Sequence, residues 1–360
     1  MQSPYRPDNA EPQLALMPVD GPALPEAPGF RLPDEHFAVV LNANAGRVTP
    51  RVRRAISEVV PRDRLFFTES PEHAREVLEH CVEREVDTVF AGGGDGTIVG
   101  VINTLVGLRE RADHLPDVGI LRLGTGNALA HWMGSGRPLR DLRRWRSGRV
   151  HRAVPVRMVV AEDTLFPFAG LGYDAAILND YNWLRQRARG RWWDRMAHGV
   201  PGYLLAGYLR TLPNYLRRDP ARVTVYNLGG PAQRIGPDGR PEGDPIDTGE
   251  IIYQGPATMI GAASTPLYGA GMKMFPFATS RAGRFQLRIA ALTPLEAARN
   301  LVPLWKGTLR HERLQDFWVD RVRLVFDEAM PYQLGGEARG YRQEMTFGLA
   351  EHPVTLVGQA

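Results

Sequence analysis

From Phe37 onward the chain alternates short, wholly apolar runs with longer stretches that read as helices. FAVVLN (Phe37–Asn42) is a continuous apolar run and predicts a strand buried on both faces. PRVRRAISEVV follows as a helix with Pro50 in its first turn. RLFFT predicts a second strand, PEHAREVLEHCVER a helix opened by Pro71 and Glu72, and DTVFAG a third strand. TIVGVINTLVGL gives the next helix, VGILRLG a fourth strand, and NALAHWMG begins another helix. This alternation implies a parallel sheet with helices on its faces, and a ligand at the carboxyl ends of the strands.

After about Val154 the texture changes to short strands such as VPVRMVVA, LFPFAGLG, ARVTVYN, IIYQGPATMIGA, GRFQLRIAAL and RVRLVF, separated by turns. They predict a largely antiparallel second region, a sandwich or barrel. The fold class expected is therefore α/β plus β: a Rossmann-like parallel α/β region followed by an antiparallel β-sandwich. Asn182 to Arg217 interrupts the second region with helical character, and Gly229 to Pro245 reads as an exposed hairpin loop. There is no internal repeat. Residues 1–34 carry eight prolines and lack the apolar density to offset ordering entropy, so a flexible tail is expected there.

Composition narrows the function classes. A 43% hydrophobic and 23% charged chain is that of a globular protein. The net charge of +4 is small and the basic set is almost all arginine, with Lys273 and Lys306 its two lysines, so no nucleic-acid partner is expected. Cys81 stands alone, which excludes an internal disulfide and suits a reducing compartment. The longest apolar candidate, Val200 to Leu209, is too short to cross a bilayer. The expected location is cytoplasmic, with membrane contact at most peripheral.

The glycine-rich turns fall where a parallel sheet binds ligands: Gly46 after the first strand, Gly92 to Gly96 after the third, Gly124 to Gly126 after the fourth. Without Cβ atoms, backbone N–H groups at Gly92 to Thr97 can close around an anion, and the helix that follows points its positive end there. The spacing fits neither the P-loop nor the dinucleotide fingerprint. A tight turn with one exposed aspartate is the plain alternative. Asp95 favours chemistry, because a carboxylate in a phosphate cradle repels the ligand unless it holds Mg²⁺ or takes a proton from an attacking hydroxyl.

With those residues in view the sequence resembles the diacylglycerol kinase catalytic-domain family, which includes sphingosine kinases and bacterial lipid kinases and is distantly related to NAD kinases. Four motifs match in order: NANAG at Asn42 to Gly46, TESPEHARE at Thr68 to Glu76, GGDGT at Gly93 to Thr97, and GTGN at Gly124 to Asn127. GLGYDA at Gly170 to Ala175, YGAGMKMFPFA at Tyr268 to Ala278 and GGE at Gly335 to Glu337 resemble motifs of the family's second domain. The likeness runs over about residues 36–358.

The resemblance implies an ATP-binding α/β domain over 35–153, a β-sandwich lipid-binding domain over 154–334, and a segment 335–360 returning to the cleft. It implies that Asn42, Asn44, Gly46, Thr68, Gly92, Gly93, Gly94, Asp95, Gly96, Thr97, Gly124, Thr125 and Asn127 surround the nucleotide. Asp95 would help place Mg²⁺ or deprotonate a lipid hydroxyl, Glu337 is the other candidate base, and Asp174 would lie near the lipid head group. The implied function is an ATP-dependent lipid kinase acting on a diacylglycerol, a sphingoid base or a ceramide-like lipid. A catalytically inactive lipid or nucleotide sensor and a kinase of a soluble acceptor such as NAD are the alternatives. The sequence is also compatible with a homodimer.

Departures from the family pattern sharpen those alternatives. Val99 and Gly100 stand where a carboxylate is frequent, Arg122 replaces a usual proline, Gly335 replaces an aspartate, and Arg281 to Gly283 replaces an acidic pair. Two basic stretches lie outside the glycine turns. Gly136 to Arg152 has seven arginines and reads best as a solvated helix face, while Trp183 to Arg195 interleaves Arg with Trp and suits an anionic bilayer surface equally well.

Overall fold

Four parallel strands set up the first layer. β1 (Phe37–Asn42), β2 (Leu65–Thr68), β3 (Thr88–Gly93) and β4 (Asp117–Arg122) pair in parallel, in the order β2-β1-β3-β4. The computed structural model describes residues 36–359 apart from 112–113, 125–126, 149–150, 192–196 and 198. The expected Pro-rich tail lies outside them. Helices α1 (Pro50–Ser57), α2 (Pro71–Glu83) and α3 (Asp95–Gly107) follow the first three strands. Thr49 and Ser70 cap α1 and α2 by accepting the N–H groups of Val52 and His73. Val77, Leu78, Cys81 and Val82 of α2 are buried, as are Ile98, Val101, Ile102 and Leu105 of α3, at the spacing of one helix face. Cys81 sits in this core, and burial pushes its thiol up to about 11.

The sheet's far edge differs from the sequence reading. After α4 (Ala128–Trp132) and α5 (Pro138–Arg146), strand β5 (His151–Val156) does not open the antiparallel region. It joins the first sheet, separated from β4 by a gap that a distant segment fills.

The second region is a 12-stranded sheet, antiparallel throughout. Its first strands are β6 (Val159–Ala161), β7 (Thr164–Phe166) and β8 (Phe168–Gly172), after which the chain turns helical. α6 (Tyr173–Ala188), α7 (Gly199–Ala206), a π-helical turn at Gly207–Thr211 and α8 (Leu212–Tyr215) form the helical interruption, which begins at Tyr173, ahead of the expected Asn182. Strands resume with β9 (Ala221–Asn227), β10 (Ala232–Ile235), β11 (Pro241–Ile246), β12 (Ile251–Ala257), β13 (Met259–Ala263) and β14 (Phe285–Ala290). The expected loop at Gly229 to Pro245 is thus a paired hairpin, β10 with β11. The apolar run IIYQGPATMIGA is divided at Thr258, so that β12 pairs β9 while β13 pairs β8 and β14.

Two short helices, α9 (Pro294–Arg299) and α10 (Leu301–Lys306), precede β15 (Leu314–Val319), β16 (Arg321–Leu334) and β17 (Glu337–Leu349). β16 is the pivot of the sheet: it pairs β9 through Val322–Phe326, β8 through Tyr332–Leu334, and β17 along its other edge, with a register shift between Val325 and Met330. Its strands share one apolar core, which includes Phe166, Phe285, Phe317 and Phe347. The α/β-plus-β fold class expected from sequence is therefore the one observed.

The last strand, β18 (Val354–Gln359), fills the gap in the first sheet. It runs parallel to β4, with Leu356 beside Val118, and antiparallel to β5, with Leu356 beside Val154. Leu356 is fully buried against the core beneath α2 and α3. Leu356→Ala should therefore destabilise the protein by about 2–5 kcal/mol. Urea unfolding checks this, and a loss below about 1 kcal/mol would contradict a structural role for the returning strand.

Candidate functional site

The parallel sheet reverses strand order between β1 and β3, where an open α/β sheet binds its ligands. Asn42 ends β1 and donates from Nδ2 to Thr97 Oγ1 at 3.0 Å, bridging the first and third loops. Its Oδ1 accepts the Asn44 N–H at 2.9 Å, and Asn44 Nδ2 donates to the Glu69 carbonyl at 2.8 Å. Thr68 is buried at the end of β2. Asn42, Asn44, Thr68 and Thr97 are thus gathered at one pole. Gly46 is exposed there, and nothing would crowd a side chain at its position.

The third and fourth loops touch through bare backbone. A Cβ on Gly124 would stand 2.1 Å from Gly94 Cα, and one on Gly93 would stand 2.4 Å from Thr97 Oγ1. One on Gly92 would meet Leu41 Cδ2 at 2.1 Å, so that glycine serves packing. Asn127 holds the fourth loop shut. It adopts a left-handed conformation at φ 52°, accepts the Gly124 N–H at 3.0 Å and donates to the Gly124 carbonyl at 2.5 Å. Thr125 lies outside the described residues.

Asp95 is the first residue of α3, and its carboxylate caps α4. Oδ2 accepts the Ala128 N–H at 2.9 Å and Oδ1 the Leu129 N–H at 3.2 Å. Burial raises its pKa, against the lowering effect of those amides and of His131. Glu337 reaches the same loop from the second sheet: its Oε1 lies 2.7 Å from where a Gly96 Cβ would be, and its Oε2 accepts from Arg339 at 3.2 Å. The two candidate bases therefore flank Gly96.

Among the described residues, no three His, Cys, Asp or Glu side chains could together hold a metal ion. Each Asp95 oxygen accepts one amide and keeps a further lone pair, Glu337 is paired with Arg339, and Gly100 and Gly335 supply no carboxylate. These side chains are too few to hold a resident Mg²⁺ by themselves.

Asp174 lies deeper, in the first turn of α6. Its Oδ2 accepts from Tyr268 Oη at 2.8 Å and Gln333 Nε2 at 3.2 Å, while Gln333 Nε2 also donates to Tyr268 Oη at 2.7 Å. Gly170 leaves the room, since a Cβ there would sit 1.9 Å from Asp174 Oδ2. Burial raises the Asp174 pKa despite these bonds. Asp174 lines an apolar cavity of about 470 Å³, with Phe168, Ile177, Met272, Leu301, Leu304 and Gly336. Gly336 adjoins Glu337, so the cavity ends beside the glycine loops. A more polar groove of about 800 Å³, lined by Asn179, Arg210, Arg313 and Glu328, includes none of the loop residues.

Sequence reasoning missed Tyr268 and Gln333 as partners of Asp174, although Tyr268 opens a quoted motif. It also noted Arg122 without placing it, and passed over Arg47 and His131. The charges of Arg122 and Arg47 both act on the His131 imidazole, which burial and these arginines push down while Asp95 pulls it up.

The profile of the diacylglycerol kinase catalytic domain matches residues 36–158. Over 314 residues the chain is 26% identical to the Yersinia pestis (strain Pestoides F) protein named "Probable lipid kinase YegS-like", covering 84% of this chain and 90% of that protein. A Yersinia pseudotuberculosis protein of the same name, from serotype O:3 (strain YPIII), matches at the same identity of 26% and the same coverage. Among solved structures, a diacylglycerol kinase from Bacillus anthracis str. Sterne superimposes with a TM-score of 0.59. That match covers 90% of this chain and 97% of the other at 13% identity, a likeness of fold.

Two outcomes follow from this geometry. Gly124→Ala should push the third and fourth loops apart, lowering the melting temperature and weakening nucleotide binding at least about tenfold if the loops bind it; titration calorimetry and a thermal melt read the two effects. Asp174 binds its proton more tightly folded than unfolded, so it costs no stability below the ordinary value of 3.8 and progressively more as pH rises above it. The melting temperature of Asp174→Asn relative to the unsubstituted protein should therefore climb as the pH rises above about 4. A flat difference would contradict the raised pKa.

Proposed function

We propose, from the match of residues 36–158 to the diacylglycerol kinase catalytic domain, that the protein transfers the γ-phosphoryl group of ATP to a hydroxyl of a long-chain lipid. The observation that carries this reading is the apolar cavity whose lining ends at Gly336, next to the carboxylate that overhangs Gly96. A lipid tail suits the cavity, whose volume of about 470 Å³ lies in the range of small-molecule sites. Its hydroxyl would then face the loop pole.

ATP would lie across the carboxyl ends of β1, β3 and β4, its phosphates against the contact of Gly94 with Gly124. The work required is alignment and charge neutralisation. A Mg²⁺ ion, where one takes part, would arrive on the phosphate oxygens of the nucleotide, as Mg²⁺ usually does. Asp95 and Glu337 are the groups that could take the hydroxyl proton. The raised pKa of Asp95 makes it the stronger base of an otherwise weak class.

A bilayer-facing orientation is part of the proposal. Tyr208, Leu209 and Leu216 are more than half exposed on the segment that follows α6, and Leu204 and Tyr208 of that segment also line the cavity. Arg187 and Arg210 stack on the Trp183 ring at 4.8 and 3.9 Å, an Arg–Trp pairing suited to the head-group layer. Part of the Arg–Trp stretch, 192–196, lies outside the described residues. No helix among those described is long and apolar enough to cross a membrane.

A sensor without turnover is the second reading, favoured by the missing acids at Gly100 and Gly335. Radiolabelled ATP with a total lipid extract separates the two: label in the organic phase supports the kinase, and tight ATP binding with no labelled lipid supports the sensor. In the kinase, Glu337→Gln and Asp95→Asn should each be compared at a temperature where both are folded. The variant of the proton acceptor loses about 10²-fold or more in kcat. Asp95→Asn should also lose about 1–3 kcal/mol of stability, because the new amide donor must face a backbone N–H.

A further inference from the structure

Arg122 holds a position that the nucleotide reading has not used. It ends β4 in register with Gly93 of β3, and adjacent in-register residues of a sheet point to the same face. At Gly93 that face is the Thr97 side, where the missing Cβ would strike the Thr97 side chain. Asn42 bonds Thr97 from the same face. The Arg122 side chain therefore leaves the sheet toward the pole at which the glycine loops meet. Its Nε is closed to solvent and has no hydrogen-bond partner among the described residues.

Two further basic groups lie near. His131 stands on α4, the helix that Asp95 caps, and Arg47 lies on the loop after β1. Both arginines act electrostatically on His131, and with burial they lower its pKa, so the imidazole adds no fixed positive charge. Against them stand the carboxylates of Asp95, whose oxygens each accept an amide, and of Glu337, which is paired with Arg339. A planar guanidinium with a free, shielded N–H beside backbone glycines is matched by a tetrahedral oxyanion.

We propose that Arg122 forms a cationic subsite for the polyphosphate of the nucleotide and allows it to bind without a divalent cation. The inference rests on the nucleotide reading above and adds to it the means of charge neutralisation. A phosphate chain normally needs metal ions to offset its charge in a phosphoryl-transfer site. Here the described residues fit a resident metal poorly, and Arg122 is directed to the corresponding pole.

The test is equilibrium binding of ATP and of inorganic triphosphate to the full chain, each in EDTA and in Mg²⁺. The unsubstituted protein should bind both ligands in EDTA. Arg122→Gln should weaken both about 10- to 100-fold in EDTA and less in Mg²⁺, the scale of losing one charge-assisted hydrogen bond. Arg122→Lys should recover part of the loss, which a merely structural role would not give. Thermal melts establish that each variant is folded. Binding of triphosphate by folded Arg122→Gln at the unsubstituted affinity in EDTA would overturn the proposal, as would an absolute requirement of the unsubstituted protein for Mg²⁺. Arg122-dependent triphosphate binding with no labelled lipid would leave this subsite standing and defeat the kinase reading instead.

Discussion

Everything at the candidate site depends on two strand-end loops meeting through backbone alone. Gly94 and Gly124 approach so closely that a single added carbon on the latter would overlap the former. That contact brings the start of α4 against the start of α3, and there the Asp95 carboxylate finds the amides of Ala128 and Leu129. Asn127 can then fold back on Gly124 in a left-handed conformation that few side chains adopt. Spread the loops, and the cap on α4, the orientation of Asp95 and the position of His131 go together.

The second sheet contributes by being tied to the same helix. Asn103, midway along α3, donates to the Leu165 carbonyl and accepts the Leu165 N–H, both at 2.8 Å, taking the place of a neighbouring strand for β7. The Gly335 N–H donates to the Phe168 carbonyl at 2.9 Å, and the Gly336 N–H to Gln333 Oε1 at 2.8 Å, which fixes the turn carrying Glu337. Gln333 is also a partner of Asp174 and Tyr268. One amide side chain thus links the turn above the glycine loops to the buried carboxylate of the cavity.

How much of this was legible in the sequence follows from where each signal is written. β1 and β3 are buried on both faces, so their apolar runs announce them. The glycines at strand ends are legible because close approach leaves no other residue. β11, PEGDPI, is nearly all exposed and is held by backbone pairing, so its side chains carry no pattern and it reads as a loop. β17 is polar over most of its length for the same reason. The divide at Thr258 is invisible for a different cause: both halves are apolar, and only the exchange of partners from β9 to β8 and β14 separates them. Arg122 was conspicuous as a residue out of place, but its surroundings are set by strand register, which one sequence does not state.

The place of β18 has a consequence for how the molecule is made. The parallel sheet has an opening between β4 and β5 until residues 354–359 arrive, and during synthesis they emerge after the whole antiparallel region. Until then β4 and β5 each present an unpaired edge, of the kind that invites pairing with another chain. The pole that would hold the nucleotide is thus assembled on a sheet that must wait for its partner domain. The decisive contact of such a late-closing sheet joins segments far apart in the chain, a topology that slows folding and keeps the open edges exposed for longer.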